Sequence, residues 1–292
     1  MILITNYTDF CKIQKDSLCL ILSITLNECM VNKVNSLIVL LVILSCNKNT
    51  DNNPNPTPMQ RDGVYNNGPL STGPISNNGI TAPAGYQWSE SQNNTGNNTV
   101  SNCVTGFACN YSPSFNYKAA DDFTIPVGQK WNISKISVYV NGLLGVSGLF
   151  DALYIQIWNG NPSLTGSSVV FGNLSTNVLS ASLDSLLFPI LNSAIPAPGF
   201  NPTTTETIWK LSANVNTTLQ AGTYWLVYQA HKTNNTPCYS PPVKIKGIRS
   251  LPEWNSIVFN SLYVWQPCKD LGNPYTLPWL SQDLPFEILY NY

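Results

Sequence analysis

Two carboxylates stand side by side at Asp121-Asp122, just ahead of a run that reads as a strand, FTIPVGQKWNISKISVYV. Adjacent acids repel unless a cation, backbone amides or a basic partner offsets them. The first chemistry to weigh is therefore a structural calcium held by Asp121, Asp122 and Asp283. Asp283 lies just before the closing segment PFEILY, and the first and last strands of a sandwich are often neighbours, so the three would converge. The plainer reading, preferred here, is that each aspartate caps a turn through nearby backbone amides. No other cofactor is implied.

Nucleophilic catalysis would have to use His231, the one histidine, yet no serine sits in a G-x-S-x-G elbow and His231 reads as a polar loop residue. Zinc is disfavoured because no C-x-x-C occurs. Glycoside hydrolysis needs two carboxylates about 5 to 9.5 Å apart, and Glu206, Glu253 and Glu287 are isolated along the chain, although Glu206 and Glu253 stand near tryptophans. A non-enzymatic protein is expected. Indoles carry the sharper binding hypothesis: Trp254, Trp265 and Trp279 lie in or beside loops rich in Pro and Asn, where an exposed ring would stack on the CH face of a sugar. The competing reading makes them core or rim aromatics.

These residues need elements to hold them, and the chain supplies strands. Ala119 to Val140 holds two strands around the turn Pro126-Val127-Gly128, with Ile136, Val138 and Val140 alternating to one face. Leu153, Ile155 and Ile157 alternate likewise, and TIWKL, GTYWLVY, IVFNSLYVW and PFEILY continue the series. Only Val178 to Leu191 approaches a helical period, enough for one short helix. Strands so spaced, with turns between them and no intervening helices, predict an all-β fold, an antiparallel β-sandwich of jelly-roll type over residues 63–292. A net charge of -1 and a charged fraction of 10% suggest neither nucleic acid nor anionic lipid as an electrostatic partner. Lys244, Lys246 and Arg249 read as a solvated strand face.

Ahead of the sandwich, Leu37 to Leu44 is eight apolar residues. As a helix they rise about 12 Å, far short of the roughly 30 Å of a bilayer core. They suit the apolar core of an export signal instead, after Lys33 and before the small Ser45. The quartet Ile43-Leu44-Ser45-Cys46 resembles the lipobox of bacterial lipoproteins, which implies lipidation of Cys46, removal of residues 30–45, and a bilayer partner through the acyl chains. Residues 1–29 then read as an upstream extension. Residues 46–62, NKNTDNNPNPTPMQRD after the cysteine, read as a flexible tether. Four cysteines remain: Cys103, Cys109, Cys238 and Cys268. They pair in three ways in a compartment where disulfides persist; Cys103 with Cys109 and Cys238 with Cys268 is the preferred arrangement.

The set AADDFTIPVGQKWNISKISVYV, LYIQIWNGNPS, AGTYWLVYQ and DLPFEILY resembles a β-sandwich module recurring in secreted and surface proteins of Gram-negative bacteria. The resemblance runs from about Val64 to the C-terminus and implies a fold without an assigned chemistry. Together these readings predict an envelope lipoprotein, in the outer membrane or surface-exposed, acting as a binding module. A polysaccharide or a surface protein would be its partner, the second as an adhesin or assembly component; a secreted hydrolase is the remote alternative.

Overall fold

The structure, a computed structural model, describes residues 61–92, 102–112, 115–260, 262, 264–272 and 277–292, without the side chains of 102 and 103. Cys46 and nearly all of the tether lie outside these residues, as do residues 1–45. The described chain is all-β. Strands β1 (Asp62–Asn66) and β2 (Gln87–Ser91) precede a single helical turn, α1 (Asn102–Thr105). Three two-residue strands follow, β3 (Phe107–Ala108), β4 (Tyr111–Ser112) and β5 (Phe115–Asn116), then the long β6 (Lys118–Leu143). Next come β7 (Phe150–Trp158), β8 (Val169–Asn173), β9 (Leu179–Asp184), β10 (Leu187–Leu191) and the equally long β11 (Glu206–Lys232). Six short strands close the chain: β12 (Tyr239–Ser240), β13 (Ile257–Phe259), β14 (Trp265–Pro267), β15 (Lys269–Asp270), β16 (Leu280–Ser281) and β17 (Phe286–Asn291).

The β6–β11 ribbon organises the fold. Lys130 faces Gln220, but the next rung is Ile125 with Gly222, so four residues on β6 stand opposite one on β11. That is a corner, and its chemistry is local: Pro126 offers no N–H, Val127 is 99% exposed, and Gly128 takes a φ of 84° that L side chains rarely adopt. Each half of the ribbon then recruits different neighbours. The 118–125/222–232 half pairs with β13 and β7, the other with β17 and β9. All these pairings are antiparallel, and β10 with β2 is a parallel exception at the periphery.

The two halves face each other across one core. Ile136, Val138 and Val140 from one sheet share a cluster with Leu153, Ile155 and Ile157 from the other, all essentially inaccessible to solvent, and each such burial stabilises by about 1.5 to 3 kcal/mol. Phe123 crosses the gap, stacking on Trp131 at 6.3 Å between centroids and meeting Phe286 edge-on at 6.1 Å. This is the face-to-face packing of a sandwich. A satellite cluster of Trp88, Phe188 and Ile190 packs the parallel pair.

Two local expectations change. Val178–Leu191 is not helical: it forms β9 and β10, separated by Leu186 at φ 59°, because pairing along β11 outweighs an ambiguous local period. Lys244 is 4% exposed and donates to Ser91 Oγ at 2.8 Å, and Arg249 grips Asp270 Oδ2 at 2.8 and 3.0 Å. Lys244 and Arg249 therefore tie segments together instead of coating a strand, whereas Lys246 is exposed as expected.

Candidate binding recess

At the end of the sandwich where β6 finishes and β11 begins, several segments enclose a recess of about 430 Å³. The segments are Val104–Thr105 of α1, Asn141 and Leu143 of β6, Thr203 to Glu206 entering β11, and the turn from Lys232 to Tyr239. The turn is built by its own side chains: Asn234 Oδ1 accepts from the Thr236 N–H at 3.1 Å and its hydroxyl at 2.7 Å, and Asn235 sits at φ 57°, where asparagine is tolerated best among residues with side chains. Gly106 holds α1 against it. A methyl group there would collide with the Ser240 carbonyl, and its φ of 91° excludes most alternatives.

What marks this recess is hydrogen-bonding capacity not used within the fold. Asn141 donates through Nδ2 to the carbonyls of Val104 (3.2 Å) and Thr105 (2.9 Å), which fixes the amide orientation; its Oδ1 accepts nothing from the protein, and the residue is 4% exposed. Lys232, also mostly buried, lies 5.6 Å from the Phe150 ring and gives one of its three N–H donors to Pro237 O at 3.0 Å. Glu206 contributes a carboxylate at the exposed rim and Tyr239 a half-exposed ring. A groove of similar size over β6 and β11 has Tyr139, Asp184 and Lys210 in its lining, and these three are paired, although the Ser185 hydroxyl beside them is not. Tyr139 donates to Glu287 at 2.6 Å, Lys210 also donates to Glu287, and Asp184 accepts from Tyr86 at 2.8 Å and from Thr207. The recess lining includes one carboxylate, so the paired acids of glycoside hydrolysis have no counterpart in it.

The structure brings the three aspartates together beside the β17 entry. Asp121, 1% exposed, accepts from the N–H groups of Asp122 (2.9 Å) and Leu284 (2.7 Å) and from Asn67 Nδ2 (2.8 Å). Asp283 Oδ1 accepts from Asn255 N–H at 2.7 Å, and Asn255 also serves Asp122. Amides donate to both oxygens of Asp121 and to Asp283 Oδ1, and among the described residues no group of three or more His, Cys, Asp or Glu is arranged to hold a metal.

Burial, then the charge of Asp283, pushes Asp121 well above the usual carboxylate range against the pull of its amide donors. Burial likewise drives Asp283 up to about 6 from 3.8, opposed by the Asn255 and Ser256 amides and aided by Asp122 and Glu253. A carboxyl whose pKa rises on folding contributes stability that is full below about pH 3.8 and lost as pH rises through about 6. Asp283→Asn mimics the protonated form. Its stability relative to wild type should therefore improve steadily across that window in urea titrations, whereas a difference independent of pH would contradict the placement of Asp283.

Of the three tryptophans, Trp254 is buried at 6% exposure, Trp265 is half-buried edge-on to Phe259 at 5.3 Å, and Trp279 is exposed at 52%. They form no common platform. Ser256, Cys268 and Gln282 lie side by side on backbone bonds, so Trp265 runs toward one hairpin tip and Trp279 toward the tip at the opposite end. Indoles instead fill the outer face of the first sheet, where Trp158 and Trp225 are cross-strand neighbours and Trp265 packs nearby.

Cys109, Cys238 and Cys268 are buried in the same core cluster; the expected Cys238–Cys268 bridge is absent among the described residues, and the Cys103 side chain, on which the other expected bridge depends, lies outside them. His231 caps the end of β11. Its Nδ1 meets Asp151 Oδ1 at 2.6 Å and its Nε2 meets Asn235 Oδ1 at 3.0 Å. Partial burial disfavours its protonation, but these two partners outweigh that and raise its pKa. With Nε2 on an amide oxygen, no serine occupies the nucleophile position.

Sequence reasoning singled out Glu206 for its tryptophan neighbour but missed Asn141, Lys232 and Tyr239, which nothing in the local pattern connects. No protein-family model, curated protein or solved structure matches the chain. Its class is therefore defined by geometry: an antiparallel β-sandwich with a polar recess at one end.

Proposed function

We propose that this chain is a non-catalytic binding module of the cell envelope, anchored by lipid at Cys46, and that the recess takes a neutral carbohydrate. The observation that carries the binding reading is the lining itself: a buried acceptor on Asn141 and spare donors on Lys232 stand beside the Tyr239 ring and the threonine hydroxyls. Sugars present such alternating hydroxyls and apolar faces, and sites of this kind rely on a few well-placed polar groups. The anchor rests on the signal-like order of residues 30–46. Incorporation of a palmitate analogue by wild type, lost in Cys46→Ala, would support it, and an unlabelled wild type would remove it.

A protein partner is the second reading, favoured by apolar side chains on the hairpin tips: Leu262 is 74% exposed and Leu277 80%. Calorimetry of the full chain against a polysaccharide panel separates the two. Glu206→Gln should weaken sugar binding about tenfold, about 1.4 kcal/mol, with unfolding unchanged because the residue is exposed; Asn234→Ala should weaken it as well, with a small loss of stability because Asn234 Oδ1 holds the turn. Trp279→Ala should leave binding intact. If Trp279→Ala abolishes it while the recess variants bind normally, the recess is the wrong site.

A further inference from the structure

We propose that Cys109 and Cys238 form a disulfide that staples β3 to β12 beneath the recess. The two strands are antiparallel, with Ala108 opposite Tyr239 and Phe107 opposite Ser240. One rung further on, Cys109 stands opposite Cys238, and the Cys109 N–H donates to the Cys238 carbonyl at 2.9 Å. Directly opposed residues of an antiparallel pair project to the same face, with Cα atoms about 4.5 to 5.5 Å apart. A disulfide spans about 4.4 to 6.8 Å between Cα atoms, a range that contains the separation typical of such a pair.

Both side chains are fully buried in the main core. Nearby positions cannot give way: Gly106 admits no side chain against Ser240, and the Tyr228 hydroxyl is 2.6 Å from Ser240 Oγ. The bridge would link residues far apart in sequence and fix α1 and Tyr239, two walls of the recess. It stands whether or not the recess binds a sugar.

Closure requires an oxidant, and an exported chain meets dithiol–disulfide proteins or small disulfides. One cysteine thiolate attacks the oxidant's disulfide and releases a thiolate from it. The second cysteine thiolate then attacks the resulting mixed disulfide, forming the Cys109–Cys238 bond and expelling the oxidant's other sulfur as a thiolate. The chain loses two electrons and two protons, and the oxidant leaves as a dithiol. Burial raises the pKa of both thiols, that of Cys238 to about 12, so the exchange belongs to folding, before the core closes, and the finished bond is shielded from reductants.

The test is peptide mass spectrometry of the full chain exported to the periplasm, alkylated at acidic pH without reduction, with a parallel sample refolded in oxidised glutathione. A peptide pair linking 109 to 238 is expected in both. Reduction should lower the melting temperature by about 5 to 10 °C, and Cys109→Ser, Cys238→Ser and the double variant should lose similar amounts. Peptides linking 103 to 109 or 238 to 268, or alkylated thiols at both 109 and 238, would overturn the proposal. Wild-type peptides alone decide it if the serine variants fail to fold.

Discussion

Asp121→Ala should cost about 3 to 5 kcal/mol of folding stability in urea at neutral pH. The side chain is an acceptor hub: it takes the N–H groups of Leu284 and Asp122 and the Asn67 amide, joining β6 to the chain after β1 and to the entry of β17. Removing it strands buried donors, each costing about 1 to 3 kcal/mol, and opens a gap that water would fill only by loosening β17. Asp121→Asn keeps the shape and one carbonyl oxygen, so its loss should be clearly smaller. A stability change within about 0.5 kcal/mol for the alanine variant would mean that these bonds do not hold the two sheets in register.

Phe123→Ala should be comparably damaging, at about 3 to 5 kcal/mol. The ring is 1% exposed and touches aromatic partners from both sheets: Tyr224 at 5.7 Å, Tyr65 at 6.0 Å, Phe286 and Trp131. It sits three residues before Pro126, where the ribbon turns, so its loss empties the point at which the two halves meet. Calorimetry should show the melting temperature fall by roughly 6 to 15 °C. A fall of a degree or two would contradict the folded-over ribbon.

The parts of this fold that were legible in the sequence are those set by local physics. The alternation of Ile136, Val138 and Val140 names the buried face of β6, and Pro126 with Gly128 announces the corner. The expected neighbourhood of first and last strands is present in β1 and β17, but Asp121 lies in β6 and reaches the β17 entry beside Asp283 through the Leu284 N–H. Other features depend on contacts across long sequence separations. Leu183 is 62% exposed although it alternates with neighbours in β9, so periodicity alone misleads there. Trp254 reads as a loop residue but is buried, next to Asn255, whose N–H donates to Asp283. The recess is the extreme case: residues near 141 and 206 meet because β6 and β11 run antiparallel, and those near 232 and 236, at the other end of the ribbon, join them because the ribbon folds over at its corner. Cys109 and Cys238 become neighbours for a related reason, through a two-rung ladder too short to show any pattern.

The most direct test of the recess as a binding site is a crystal structure of the chain with the tightest-binding oligosaccharide from the panel. The account predicts a sugar ring seated between Glu206, Asn234 and Tyr239, with a hydroxyl donating to Asn141 Oδ1 or accepting from Lys232 Nζ. A sugar bound instead on Trp279 or over the Leu262 and Leu277 tips, with the recess filled only by water, would contradict it.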